Sequence, residues 1–307
     1  MRWPDERRFA FTIIDDPDGQ DYGVGVEVYA LLRDLGFQTS RAVWPVGPRR
    51  PTNSGGETCA SVPYLQHTLD LQRRGFEIAY HNATPHTSPR EETDAALERF
   101  RDMFGDYPRT MANHYNEEAI YWGAARVSGV RRFLYNGATL GRRSNRHHGH
   151  VEGSPLFWGD LCRERIHYCR NFVFDEVDTL AACPMMPYHD PARPYVAAWY
   201  AAAEGAAGPS FMRMISDRNQ ERLEESGGAC ILYTHFGHGF HDGGKLEPEF
   251  VRLMTRLARA NGWFVPVGTL LDHLRAQANG QTYTLTPPER RRLELRWLRQ
   301  KLLRGTS

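Results

Sequence analysis

Short apolar runs and helix-patterned stretches alternate along this chain. FAFTIID is an apolar run that ends in acid, the pattern of a strand buried on both faces. VEVYALLRDLGF follows with apolar residues at helical spacing and Gly36 as the stop signal. TSRAVWPV predicts a second strand, SVPYLQHTLDLQRRG a second helix and FEIAYHNA a third strand. SPREETDAALERFRDMFG predicts a helix whose start is signalled by Ser88 ahead of Glu91 and Glu92. PRTMANHY and RRFLYN read as strands, with a helix over NEEAIYWGAARVSG between them. Gly and Pro crowd positions 137–160, which predicts a long loop of the kind that serves a site. ACILYTHF then reads as a strand, EPEFVRLMTRLARANG as a helix, and WFVPVGTLLDHL as a strand leading into a helix.

This rhythm implies an α/β fold with a parallel sheet and helices outside it. The number of repeats favours a closed barrel over an open sheet. The pattern divides the chain into one barrel domain over 1–275 and a basic helical tail over 276–307. Leu293, Trp297, Leu298 and Leu302 line that tail and suit packing on the domain or on a second copy of the chain.

Composition narrows the function classes. The 307 residues carry a formal net charge of +1, so no global charge points to nucleic acid or to a membrane surface. MRWPDERRFA lacks the apolar core of a signal peptide, and no run is long enough to span a bilayer. Cys59, Cys162, Cys169, Cys183 and Cys230 are irregularly spaced with no CxxC pair, which predicts reduced thiols and a cytoplasmic protein.

The candidate chemistry sits at predicted strand ends, where parallel α/β folds gather their sites. Asp15 and Asp16 follow FTII, His81 follows FEIAY, His114 follows TMAN and His235 follows ILYT. A turn after a strand needs one carboxylate. Two adjacent ones suit a site where one holds a cation and the other handles a proton. His81 and His86 are five apart in HNATPH, where Pro85 argues against a helix. From a strand-end loop both rings can fold back on one ion, and two His with one Asp is a common catalytic metal arrangement. GVGVEV is only half of a dinucleotide fingerprint, and no GxSxG, HExxH or phosphate-binding loop is present. HHGH at 147–150 reads as a flexible or substrate-facing patch.

The order of these features resembles the polysaccharide deacetylases of the NodB-homology type: an Asp-Asp pair, a His with a second close behind, an aromatic strand-end motif, then a late LxxH. The resemblance spans about residues 10–275 and implies a distorted (β/α) barrel. It implies Asp15 as general base, Asp16, His81 and His86 as ligands of a divalent metal, and His235 as general acid. Zinc is the first expectation for the metal, with nickel or cobalt as substitutes. Asp18, Asn82, His114, Tyr115 and Asn116 are the implied substrate contacts, with a backbone N–H near Tyr115 facing the oxyanion; for Asp18 a turn role stands equally open. Two departures are visible. The His pair is five apart where four is usual, and an Arg-Pro-Pro-Tyr type run is replaced by Ala112, Asn113, His114 and Tyr115. The Arg that steadies the base is thus missing from its usual place. Asp160 and Asp190 are the candidates for an acid that tunes His235.

The implied activity is metal-dependent removal of an N-acetyl or other N-acyl group from a sugar or glycan. The other readings are a non-catalytic carbohydrate-binding barrel and a hydrolase of non-sugar C–N bonds.

Overall fold

The computed structural model describes residues 2–52, 54–139 and 146–307. Seven parallel strands close a barrel: β1 (Phe9–Asp15), β2 (Ser40–Val43), β3 (Glu77–Tyr80), β4 (Thr110–Met111), β5 (Tyr168–Phe174), β7 (Ala198–Ala203) and β8 (Ala229–Thr234). β8 pairs with both β7 and β1, which completes the ring. β6 (Tyr188–His189) runs antiparallel to β7. A second short pair, β9 (His241–Asp242) and β10 (Lys245–Leu246), stands apart.

The barrel is distorted at β1. Phe9 to Phe11 pair with β11 (Gly262–Phe264), whereas Ile14 and Asp15 pair with Ser40 and Arg41 of β2. One edge of β1 therefore serves two partners in succession. β12 (Tyr283–Thr284) extends the sheet beyond β6.

Helices follow the strands as the alternation requires. They are α1 (Tyr22–Asp34), α2 (Val62–Arg73), α3 (Arg90–Phe104), α4 (Val130–Ala138), α5 (Gly159–Arg165), α6 (Thr179–Ala182), α7 (Gly208–Met214), α8 (Asp217–Ser226), α9 (Pro248–Ala258), α10 (Val267–Gln277) and α11 (Pro287–Arg304). The basic tail, α11, docks on α4 and β5. Leu293, Trp297 and Leu298 are buried there and Leu302 is exposed. The buried carboxylate of Glu294 locks the docking by accepting from Arg131 and Arg193.

The alternation of β1 sorts its side chains into two cores. Phe9, Phe11 and Ile13 belong to one apolar cluster; Ala10 and Ile14 belong to the other. Successive residues of a strand face opposite ways, and this sorting carries over to the two acids that end it.

Two expected elements differ. RRFLYN lies in α4, a helix. Val130, Phe133 and Leu134 stand at helical spacing, and the run FLY disguises it. NEEAIYWGAARVSG forms only a 3-10 turn over Gly123–Arg126. Tyr121 and Gly123 both have positive φ there, 47° and 59°, which a right-handed helix excludes. Within the predicted loop, 140–145 lie outside the described residues. The predicted start of α3 is also met differently: Ser88 Oγ turns to Thr84 Oγ1 at 2.9 Å, and Pro89 takes the cap position.

Candidate active site

The loop after β1 carries the first acids. Asp15 faces the outer layer with Phe11 and Ile13, and all of its hydrogen bonds hold structure. Its Oδ2 accepts from Gln20 Nε2 at 3.0 Å and Tyr29 Oη at 2.9 Å, and its Oδ1 accepts from the Phe236 amide at 2.9 Å. Burial raises its pKa to about 6, against the lowering by that amide, by Arg41, by Tyr29 and by Gln20. Asp16 faces the other way. Its two oxygens accept from both terminal nitrogens of Arg170, at 3.0 and 2.6 Å, and both residues are almost wholly buried. Paired bonds of this kind fix a carboxylate in position as well as balancing its charge. Arg170 also lies over the Tyr233 ring.

Asp18 is the acid at the centre. Its Oδ2 is 3.0 Å from His81 Nε2, its Oδ1 is 3.4 Å from His114 Nδ1, and the two ring nitrogens are 3.1 Å apart. Burial would raise the Asp18 pKa, yet the hydrogen bonds from His114 and His81 hold it well below the usual carboxylate range. Burial would lower the His81 pKa, and the charges of Asp16 and Asp18 more than offset it, so His81 is raised. Burial prevails for His114, which is lowered. Trp44, fully buried, sets an edge against both rings at 5.4 Å.

These three donors fit a divalent ion. Four ligands at zinc's usual bond lengths stand about 3.3 Å apart in a tetrahedron. The His81 Nε2–His114 Nδ1 separation of 3.1 Å is close to that edge, and Asp18 flanks the pair with Oδ2 3.0 Å from His81 and Oδ1 3.4 Å from His114. His81 Nδ1 and His114 Nε2, the outer ring nitrogens, are buried without a hydrogen-bond partner among the described residues.

His235 closes the site from β8. Its Nε2 lies 3.8 Å from Asp18 Oδ2, and its Nδ1 sits 2.7 Å from the Ala206 carbonyl. That carbonyl fixes the proton on Nδ1 and turns Nε2 toward the site. Asp16, Asp18 and His235 each bring a polar atom within 4.8 Å of the others. The loops carrying them press together through glycine: a Cβ on Gly237 would lie 2.3 Å from the Gly19 carbonyl carbon.

Several expected residues lie elsewhere. His86 joins neither cluster of ligand atoms. Its Nδ1 is held by Thr84 Oγ1 at 2.8 Å and the Thr87 carbonyl at 3.1 Å, and its Nε2 is 3.8 Å from Glu92 on α3. Asn82 has φ 61° and redirects the chain directly after His81. Asn82 and Asn116 are buried, with their amide groups donating to Glu118 Oε1 at 3.0 and 3.5 Å. Tyr115 is half-buried with its ring against His114. Asp160 pairs with Arg90, and Asp190 pairs with Arg193 and Arg290, so neither bonds His235. HHGH folds back on the strand-end loop: His147 Nδ1 lies 2.9 Å from the Asn116 carbonyl, and the His148 amide donates to the Glu117 carbonyl.

Arg170 and Glu118 were not visible as site residues. Arg170 stood in an unrecognised strand, and its signal is a lone charge inside the apolar run YCRNFVF. Glu118 lies in NEEAIYWGAARVSG, whose pattern predicts a helix and gives no sign of a buried acid.

Sequence comparison brings out no matching family model and no matching curated protein. Structure comparison does find similar folds. A Mycobacterium smegmatis protein named as a polysaccharide deacetylase aligns over 94% of this chain and 97% of its own, with TM-score 0.53 and 14% identity. A Pseudomonas aeruginosa protein of the same name aligns over 91% and 95%, with TM-score 0.51 and 12% identity. The chain thus has the (β/α) barrel fold of those polysaccharide deacetylases.

Proposed function

We propose that this barrel is a metal-dependent hydrolase that removes an N-acetyl or other N-acyl group from a sugar or glycan. The observation that carries the reading is the convergence of Asp18, His81 and His114 on one point, with Asp16 and His235 beside it. Asp18, His81 and His114 would hold the ion, zinc being the first expectation. When bound, such an ion supplies Lewis-acid polarisation of an acyl carbonyl and a lower pKa for water.

The protein's own groups do the proton work. Asp16 takes the proton from the attacking water, while Arg170 holds its carboxylate fixed at the barrel mouth. His235 delivers a proton from Nε2 to the leaving amine and keeps the proton on Nδ1, where the Ala206 carbonyl accepts it. General acid and base groups must lie within reach of one reacting centre, and the 4.8 Å limit on Asp16, Asp18 and His235 meets that need. Asp15 is a framework group: through the Phe236 amide it ties the His235 loop to the end of β1. Arg170, from a different strand, does for Asp16 what the Arg of the replaced Arg-Pro-Pro-Tyr type run does in the proteins this chain resembles.

The test is metal analysis of protein purified without added ions, followed by an acetate-release screen on N-acetylated sugars and oligosaccharides. Bound metal together with acetate release supports the reading. Bound metal with release of ammonia from non-sugar amides, and no acetate, would redirect it to another C–N substrate. No metal and no release would overturn it in favour of a non-catalytic barrel.

A further inference from the structure

Glu118 is a fully buried carboxylate that the proposed chemistry does not use. It stands in the loop after β4, four residues beyond His114. Its Oε1 accepts from Asn82 Nδ2 at 3.0 Å and from Asn116 Nδ2 at 3.5 Å. Each asparagine passes the constraint on. Asn82 directly follows His81, and its Oδ1 accepts from the His114 amide at 3.3 Å. Asn116 Nδ2 also donates to the Thr84 carbonyl at 3.3 Å. One carboxylate therefore ties the end of β3 to the end of β4, the two places from which the histidines project.

Its surroundings hold Glu118 itself in place. Trp158 Nε1 donates to the Glu118 carbonyl at 2.7 Å. Gly149 packs so closely that a Cβ there would lie 1.9 Å from the same oxygen. The left-handed conformation of Asn82, uncommon outside glycine, is the kind of backbone feature that surrounding bonds must enforce.

We propose that Glu118 is a positioning residue for the two histidine ligands, setting the separation of His81 Nε2 and His114 Nδ1 through Asn82 and Asn116. The proposal rests on the metal reading above. Groups that orient metal ligands from behind commonly change metal affinity by about 10–100-fold when removed.

The experiment compares the full chain with Glu118→Ala, Glu118→Gln and Asn82→Ala. Zn(II) affinity is read by competition with a chromogenic chelator, the visible absorption of the Co(II)-loaded protein reports ligand geometry, and the melting temperature is read in EDTA. Glu118→Ala and Asn82→Ala should each weaken Zn(II) binding about 10–100-fold and change the Co(II) spectrum. Glu118→Gln, which keeps an acceptor for Asn82, should fall between Glu118→Ala and the parent. The affinity losses of Glu118→Ala and Asn82→Ala should fail to add in the double variant, because they break one chain of bonds. A purely structural role predicts otherwise: a lower melting temperature with unchanged Zn(II) affinity and an unchanged Co(II) spectrum. That result overturns the proposal while leaving the metal site standing. If Glu118→Ala does not fold, the same outcome in Asn82→Ala and Glu118→Gln overturns it equally. A parent protein that binds neither ion overturns the metal reading and this proposal together.

Discussion

Replacing Glu118 by Gln should change how stability depends on pH, and the size of the change follows from its burial. Burial raises the Glu118 pKa from 4.5 to about 7, against lowering by Asn82, by its own amide and that of Ser88, and by Asn116. Below pH 4.5 the carboxyl is protonated in folded and unfolded chains alike. Between 4.5 and about 7 the folded protein keeps a proton that the unfolded chain has released, so stability falls as pH rises. Above about 7 both forms are ionised and the loss is complete. At about 1.4 kcal/mol per pH unit, the full loss is about 3 kcal/mol. Glu118→Gln removes this component whatever it does to stability as a whole. The difference between variant and parent should therefore drift in favour of the variant from pH 4.5 to 8, by about 3 kcal/mol or several degrees in melting temperature. The assay is thermal or urea unfolding of both proteins across that range, in EDTA so that metal binding adds no slope. Parallel curves, with a constant offset between parent and variant, would refute the argument.

Four further outcomes follow from the site. Asp18→Asn and His114→Ala should lose bound metal while His86→Ala keeps it, read by elemental analysis; loss at His86 alone would restore the His81–His86 pair as the ligand set. Asp16→Asn should keep the metal and lower kcat by about 10²–10⁴-fold, the usual range for a general base. Asp15→Asn should act on stability before turnover, and a variant of normal stability without activity would return the base to Asp15. Arg170→Met leaves the Asp16 carboxylate buried without its paired guanidinium, which should cost about 3–5 kcal/mol in unfolding free energy; an unchanged melting temperature would show that the pair contributes little.

The sequence revealed most of the barrel because strand and helix periods differ. FAFTIID, FEIAYHNA and ACILYTHF are apolar runs of strand length between amphipathic helices, and all three contain strands of the closed ring. Elements failed where local pattern is ambiguous. RRFLYN is short, and its apolar residues satisfy either period. β5 and β7 escaped notice because Tyr168–Phe174 carries Arg170 and Asn171, and because Ala198–Ala203 is mostly alanine. Alanine has helical propensity, and a charged residue argues against a buried strand. The barrel overrides both: β7 pairs with β5 and β8 to close the ring, and Arg170 stands opposite Asp16.

The sequence points to the residues of the candidate site more readily than to the parts they would play in the proposed chemistry. Strand ends named Asp15, Asp16, His81, His114 and His235, and four of these five reach the site through polar side-chain atoms. Roles depend on direction, which only the register of β1 reveals. Phe9, Phe11 and Ile13 share one face, so Asp15 continues that face into the outer layer; Ala10 and Ile14 share the other, so Asp16 faces Arg170. The chain then turns through Pro17 and brings Asp18 back to the histidines. In the proposed assignment the ligand carboxylate lies two residues along, at Asp18, which leaves Asp16 to act as base. The same logic accounts for the second histidine. His86 is near His81 in sequence, but Asn82 turns the loop toward α3. His114 is remote in sequence, yet β4 lies beside β3 in the ring, and adjacent parallel strands bring their ends together. A ligand pair drawn from neighbouring strands can then be tied by one buried acid behind it, and Glu118 stands where that tie is needed.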